Sequence, residues 1–230
     1  MDFTLSDEEQ AILDLATQIL GDKSSHERLK ALAAADDRVD AEAWAALAEA
    51  GVLGAAVPEE HGGLGLGYLA TAMALQAVGA AASPVPLLST AVMGAMPIAE
   101  FGTADQQAAW LPAIADGSTV VAAGLYEFGT EPSEPATSAA AVGGGFRLDG
   151  VKPMVDAGLD AGLFVVPARL DEGGTGVFLV PADTAGVAIE RVEVTTTRPQ
   201  ARVSLEGCTV GGDALLGGGA HDGTAIVDWI

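Results

Sequence analysis

The pattern of apolar residues changes near residue 117 from helical spacing to short β-favouring runs. This change constrains the fold more than any other feature. Before Gly117, apolar residues recur at helical spacing behind two capping boxes, Ser6 with Glu9 and Thr103 with Gln106. After Gly117, short β-favouring runs are separated by turns that are too short to hold a crossover helix. We therefore expect an α+β fold, in which an N-terminal helical bundle precedes an antiparallel β barrel or sandwich.

The pattern also predicts the individual elements. We expect helices after Ser6, over 26–35, after the N-cap Asp40, over about 67–79 and 86–101, and from Thr103 to Gly117. Pro97 should kink or divide the helix over 86–101. The resulting domains are an all-α domain (1–117), a middle β domain (118–212), and a linker with the start of a further helix (213–230).

Charge and cysteine content exclude several classes of protein. The chain has 10 Lys and Arg against 32 Asp and Glu, a formal charge of −22 that opposes binding to nucleic acid or to anionic lipid. The most apolar segment, residues 70–82, is shorter than the roughly 18 residues of a membrane span. A single cysteine, Cys208, and an acidic N-terminus unlike a signal peptide lead us to expect a cytoplasmic protein.

The glycine-rich stretch over 52–70 is close to a dinucleotide-binding pattern, because Gly65, Gly67 and Ala70 follow an apolar run. In a nucleotide site the glycines must follow the strand directly, so that the backbone approaches a pyrophosphate. Here Glu59 and Glu60 intervene and would repel an anion. We therefore interpret the stretch as structural.

Familiar catalytic patterns do not occur. The sequence has no G-x-S-x-G elbow, no H-x-x-x-H and no P-loop. Its three histidines, His26, His61 and His221, lie far apart in different predicted elements. We expect neither a metal site nor a catalytic group from these residues.

Three segments together resemble the acyl-CoA dehydrogenase family: "SDEEQAILD" (6–14), "WAALAEAGVLGAAVPEEHGGLGLG" (44–67) and "FGTADQQAAWLPAIADGS" (101–118). The resemblance implies FAD as cofactor, an acyl-CoA substrate, and an electron-transfer flavoprotein as acceptor. It also implies that a C-terminal four-helix domain supplies the catalytic carboxylate; no residue here matches that base. The glycine stretch corresponds to a connection between helices in the family.

The resemblance further implies that two segments of the β half flank the flavin. The residues at these positions are Leu125, Tyr126, Glu127, Met154, Val155 and Asp156. The family pattern has a small hydroxyl where Tyr126 stands, a flat ring where Met154 stands, and a hydroxyl near flavin N5 where Asp156 stands. A carboxylate at that last position would oppose formation of the anionic reduced flavin.

These departures predict the flavin-poor subunit of a hetero-oligomer, whose homologous partner binds most of the FAD. The family resemblance includes heteromeric enzymes of this kind that act on steroid side-chain thioesters. Two alternatives remain open: a non-catalytic scaffold or binding protein that keeps the fold, and a homo-oligomeric enzyme with atypical flavin contacts.

Overall fold

The computed structural model describes residues 4–35, 39–195 and 198–230, and it has helices in its first half and strands in its second. The helices are α1 (Asp7–Lys23), α2 (His26–Ala34), α3 (Ala41–Glu49), α4 (Gly67–Ala81), α5 (Met96–Phe101), α6 (Ala104–Ala115) and α7 (Gly223–Trp229). The strands are β1 (Val121–Ala123), β2 (Ser138–Val142), β3 (Gly145–Asp156), β4 (Leu163–Leu170), β5 (Thr175–Pro181), β6 (Val187–Val192) and β7 (Gln200–Gly211). The α+β class expected from the sequence is confirmed.

Local capping signals placed the helix starts correctly. The Ser6 hydroxyl accepts the backbone N–H of Glu9, whose carboxylate accepts the N–H of Ser6, and Thr103 with Gln106 repeats this arrangement. Asp40 caps α3 by accepting the N–H of Ala43 at 3.2 Å. These reciprocal bonds satisfy backbone donors that have no partner inside a helix.

The helix that contains Pro97 is divided, as predicted. A π-helical segment, Leu88–Ala95, runs directly into α5, so the hydrogen-bonding pattern changes at Met96, one residue before Pro97. Pro97 supplies no backbone N–H, which favours such a change of pattern at its position. Within this segment, Gly94 lies against β1: a Cβ on Gly94 would be 2.6 Å from Cβ of Val121.

The sheet is mixed, with mainly antiparallel pairing. Its order is β1-β4-β2-β3-β7-β6, with β5 paired to the other edge of β4. Four pairs are antiparallel, but β4 runs parallel to both β1 and β2. The β2–β3 hairpin reverses the chain, and the turn after β3 reverses it again, so β4 returns in the direction of β2.

Buried contacts join the helical and β halves. One core cluster combines Ile98, Leu111 and Ile114 of the helices with Leu163 and Val177 of the sheet. The indole N–H of Trp44 donates to the carbonyl of Gly117 at 2.9 Å, between the end of α6 and the start of β1. Separate clusters fill the helical bundle and the inner face of the sheet. The position of the β strands relative to the helices is therefore set by packing.

Gln106 ties α6 to the segment that leaves the sheet. Its amide nitrogen donates to the carbonyls of Asp213 (2.7 Å) and Leu215 (2.9 Å), and its oxygen accepts the N–H of Gly217 (3.0 Å). These buried bonds orient the chain that enters α7. Within the described ranges, every helix is too short or too polar to cross a lipid bilayer.

Candidate functional site

The two segments predicted to flank the flavin lie next to each other. Leu125–Glu127 follows β1, and Met154–Asp156 ends β3. The backbone of Gly124 passes so close to β3 that a Cβ there would be 2.9 Å from Cγ of Lys152. Because glycine has no side chain, the chain after β1 can lie directly against Lys152.

A buried ion pair connects these segments. The ammonium of Lys152 donates to Oε1 of Glu127 at 2.6 Å and to the carbonyl of Pro167 at 2.8 Å. The same carboxylate accepts the hydroxyl of Thr137 (2.6 Å) and the N–H groups of Ala136 (2.6 Å) and Thr137 (3.2 Å). Both charged side chains are buried, at 1% exposure for Lys152 and 5% for Glu127. The Glu127 carboxylate is therefore directed into the protein core.

Electrostatics favour the ionised state of this carboxylate. Burial alone would raise the pKa of Glu127, but the hydrogen bonds from Lys152 and Thr137 outweigh burial and hold the pKa below its ordinary value. Burial lowers the pKa of Lys152, and the opposite charge of Glu127 counteracts only part of that effect. Glu127 therefore has more hydrogen-bond partners than Lys152, and these partners compensate its buried charge better.

Side chains on the outer face are large and exposed. Tyr126 is 46% exposed and Met154 is 41% exposed, whereas Val155 between Met154 and Asp156 is in the core of the sheet. Phe128 is 72% exposed and its ring meets that of Tyr126 edge-on, with 5.5 Å between centroids. Strand alternation therefore separates the predicted residues: Met154 faces outward and Val155 inward.

Asp156 has a partner that the sequence did not indicate. Its carboxylate Oδ2 accepts a hydrogen bond from Nη2 of Arg198, which lies just before β7. Burial raises the pKa of Asp156 above its ordinary value, and the positive charge of Arg198 offsets only part of this. Arg198 follows Asp156 by 42 residues, so only the pairing of β3 with β7 brings them together.

A cavity of about 430 Å³ lies beside this ion pair. It is lined by the end of α4 and the loop that follows it, by the first residue of the π-helical segment, by a residue before α3, and by the two charged residues with their neighbours. These residues are Val39, Leu75, Val78, Gly79, Ala82, Ser83, Pro84, Val85, Pro86, Leu88, Asp156, Ala157, Arg198 and Pro199. Ser83, Asp156 and Arg198 are the polar side chains in this lining. The site is therefore an apolar cavity with an ion pair in its wall.

The six predicted residues fit a flavin ring poorly. Glu127 and Val155 direct their side chains into the core, and Asp156 presents a carboxylate already bound to Arg198. Tyr126 carries the one hydroxyl among the six. The contact of these residues with FAD stays a prediction.

Comparison with known proteins adds an independent observation. A family model for the N-terminal domain of acyl-CoA dehydrogenases matches residues 6–118. Over its whole length the chain is 33% identical to acyl-CoA dehydrogenase FadE27 of Mycobacterium tuberculosis, and it covers 59% of that protein. It is 31% identical to FadE28 of the same organism, with 96% of this chain and 58% of the relative covered.

Solved structures agree with the sequence comparison. A chain of the ChsE4-ChsE5 complex from Mycobacterium tuberculosis superposes with a TM-score of 0.91 at 32% identity, covering all of this chain and 60% of that one. The Tcur3481-Tcur3483 steroid ACAD G363A variant superposes with a TM-score of 0.85 at 38% identity, covering 92% and 59%. The chain thus spans about three fifths of the length of these relatives.

Proposed function

The chain belongs to the acyl-CoA dehydrogenase family, and from that premise we propose that it is part of a FAD-dependent acyl-CoA dehydrogenase, as the flavin-poor subunit of a hetero-oligomer. Its substrate would be an acyl-CoA whose acyl part has a large apolar body, such as a steroid side-chain thioester. An electron-transfer flavoprotein would accept the electrons, and the complex would act in the cytoplasm. The similarity to a chain of the ChsE4-ChsE5 complex supports a heteromeric assembly.

One observation carries the flavin-poor assignment: the carboxylate of Asp156 at the end of β3. The family resemblance puts a hydroxyl at this position, near the flavin atom that accepts hydride. Reduced flavin is anionic, and a second negative charge in a partly buried site opposes its formation. Arg198 offsets this charge only in part, because its side chain is 53% exposed and water screens it.

The size of the neighbouring side chains supports the same assignment. Tyr126 and Met154 are exposed at positions where the family resemblance puts a small hydroxyl and a flat ring. Phe128 packs edge-on against Tyr126 and adds a further aromatic ring to this surface. A flavin ring would have to displace these side chains to approach the strand.

The stoichiometry of FAD tests the proposal. We would purify the chain together with a homologous partner subunit and measure flavin per protein from absorbance after denaturation. We expect one FAD per two chains, whereas one FAD per chain would overturn the flavin-poor assignment.

The variant Asp156→Thr separates the two causes that would keep flavin out. A gain of flavin identifies the carboxylate as the obstacle, and no gain identifies the side chains of Tyr126 and Met154. Asp149→Thr, in a separate ion pair of β3 with Arg147, is the matched control.

A second candidate is a homo-oligomeric acyl-CoA dehydrogenase with atypical flavin contacts. The ion pair favours it, because Arg198 offsets part of the charge of Asp156 that opposes reduced flavin. This candidate requires FAD to copurify with the chain in the absence of any partner. The remaining alternative, a scaffold or binding protein that keeps the fold, requires the chain to be stable without either FAD or a partner subunit.

We also propose that the domain division lies at residues 117 and 212. The region between α6 and β1 has a positive φ at Gly117, and α7 begins after a run of glycines. Limited proteolysis tests this division: the first cleavages should fall at the exposed residues beside it, Asp116, Ser118 and Gly211–Asp213.

A further inference from the structure

The wall of the cavity combines a large apolar surface with one pair of opposite charges. Leu75 and Val78 of α4 line it together with Asp156 and Arg198. Its volume, about 430 Å³, falls within the roughly 300–1,000 Å³ typical of small-molecule sites. An apolar ligand with one polar group is the chemistry that such a wall accommodates.

The ion pair retains unused hydrogen-bonding groups. The contact joins Nη2 of Arg198 to Oδ2 of Asp156, and among the described residues no other side chain bonds to the Asp156 carboxylate. An arginine has five N–H donors, so the guanidinium can also donate to a ligand carbonyl. A neutral carbonyl can therefore be bound without breaking the pair.

Charged ligands lack this advantage. An anion that approaches Arg198 also approaches Asp156, and a cation that approaches Asp156 also approaches Arg198. Each would be repelled by one member of the pair or would have to displace it.

The cavity offers a second polar group to a ligand, because the buried hydroxyl of Ser83 has no hydrogen-bond partner among the described residues. A neutral polar group on the ligand is also compatible with this serine.

We propose that Asp156 and Arg198 are specificity-determining residues, which make this cavity select neutral acyl derivatives, such as thioesters, over the corresponding free carboxylates. The inference deepens the proposed function and rests on it for the acyl nature of the ligand. It would let the chain distinguish an activated acyl group from the free acid by charge alone.

Three probes of equal chain length test the proposal: octanamide (neutral), octanoate (anion) and octylammonium (cation). Binding to the 230-residue chain is measured by calorimetry at pH 7, without flavin or a partner. For the unmodified chain we expect octanamide to bind about tenfold more tightly than either ion, as opposing charges in a partly solvated pair allow.

Charge variants then give opposite outcomes. Asp156→Asn leaves Arg198 unpaired, so octanoate should become the tightest probe; Arg198→Met leaves Asp156 unpaired, so octylammonium should become the tightest. Arg147→Met removes an equally exposed arginine of another ion pair on β3, outside the cavity lining, and should leave the order of the probes unchanged.

Equal binding of octanamide and octanoate by the unmodified chain would overturn the inference, and so would an order of probes that the two cavity variants do not change. Absence of binding by all three probes would also overturn it. None of these results depends on flavin stoichiometry, so the inference and the flavin-poor assignment can fail separately.

Discussion

At the scale of single residues, the ion pair between Glu127 and Lys152 is the feature with the clearest energetic consequence. The two partners are not equivalent, because Glu127 keeps three other donors if Lys152 is removed. Lys152 keeps only one described acceptor, the carbonyl of Pro167, if Glu127 is removed. Loss of the carboxylate therefore leaves the less compensated charge in the core.

We predict that Glu127→Leu lowers the free energy of unfolding by about 3–5 kcal/mol, as expected when a buried charge loses its partner. Lys152→Met should cost less, because its loss leaves a carboxylate that is still hydrogen-bonded. Urea denaturation followed by circular dichroism measures both values. Equal costs, or a greater cost for Lys152→Met, would contradict the asymmetry that the contacts show.

The same carboxylate should contribute to acid sensitivity. The folded-state pKa of Glu127 is lower than its ordinary value, so its contribution to stability is present above that ordinary value and is lost as pH falls through the folded-state pKa. The stability of Glu127→Gln should accordingly depend less on pH in the acid range than that of the unmodified chain. Glu8→Gln, on the exposed first turn of α1, is the control.

At the scale of elements, contact between the π-helical segment and β1 depends on Gly94. An alanine Cβ would lie 2.6 Å from Cβ of Val121, closer than atoms in real structures approach. The hydroxyl of Thr90 in the same segment accepts the N–H of Val121 at 3.2 Å, which holds β1 in place. The strand cannot move away without losing this bond.

We predict that Gly94→Ala destabilises the protein by about 1–3 kcal/mol, the usual cost of overpacking. Gly79→Ala in α4 is the matched control, since a Cβ there meets no atom within 4 Å. Because alanine favours helix over glycine, Gly79→Ala should be neutral or should stabilise by up to about 1 kcal/mol. Thermal unfolding of the two variants side by side measures the difference; similar behaviour would show that Gly94 does not determine the contact.

At the scale of the whole molecule, the 230 residues carry the family fold, and the resemblance implies that the catalytic base lies outside them. The relatives extend well beyond the part that this chain covers. A positioned general base contributes about 10²–10⁴-fold to proton abstraction. We therefore expect activity to require groups from outside these residues.

We predict that the 230-residue chain alone does not dehydrogenate an acyl-CoA. Under anaerobic conditions, octanoyl-CoA should not bleach FAD that is added to the purified chain, whereas dithionite should reduce the same FAD as a positive control. Bleaching by octanoyl-CoA would show that a base within these residues is competent.

The sequence by itself determined the features that depend on neighbouring residues. Capping boxes at Ser6 and Thr103, the break at Pro97 and the change from helices to strands all arise from contacts within a few positions, so a local pattern reports them. The order of the three helical motifs also identified the family, because it extends over the first half of the chain.

Only the tertiary structure decided how the candidate site is built. Glu127 meets Lys152 across 25 residues and Asp156 meets Arg198 across 42, while Gln106 reaches Gly217 across 111. Such pairs form when strand pairing and core packing bring distant segments together, and they leave no periodic signal in the sequence. Hydrophobic burial, which is non-directional, specifies which faces turn inward; the particular partners of a buried charge depend on where the packed elements place them.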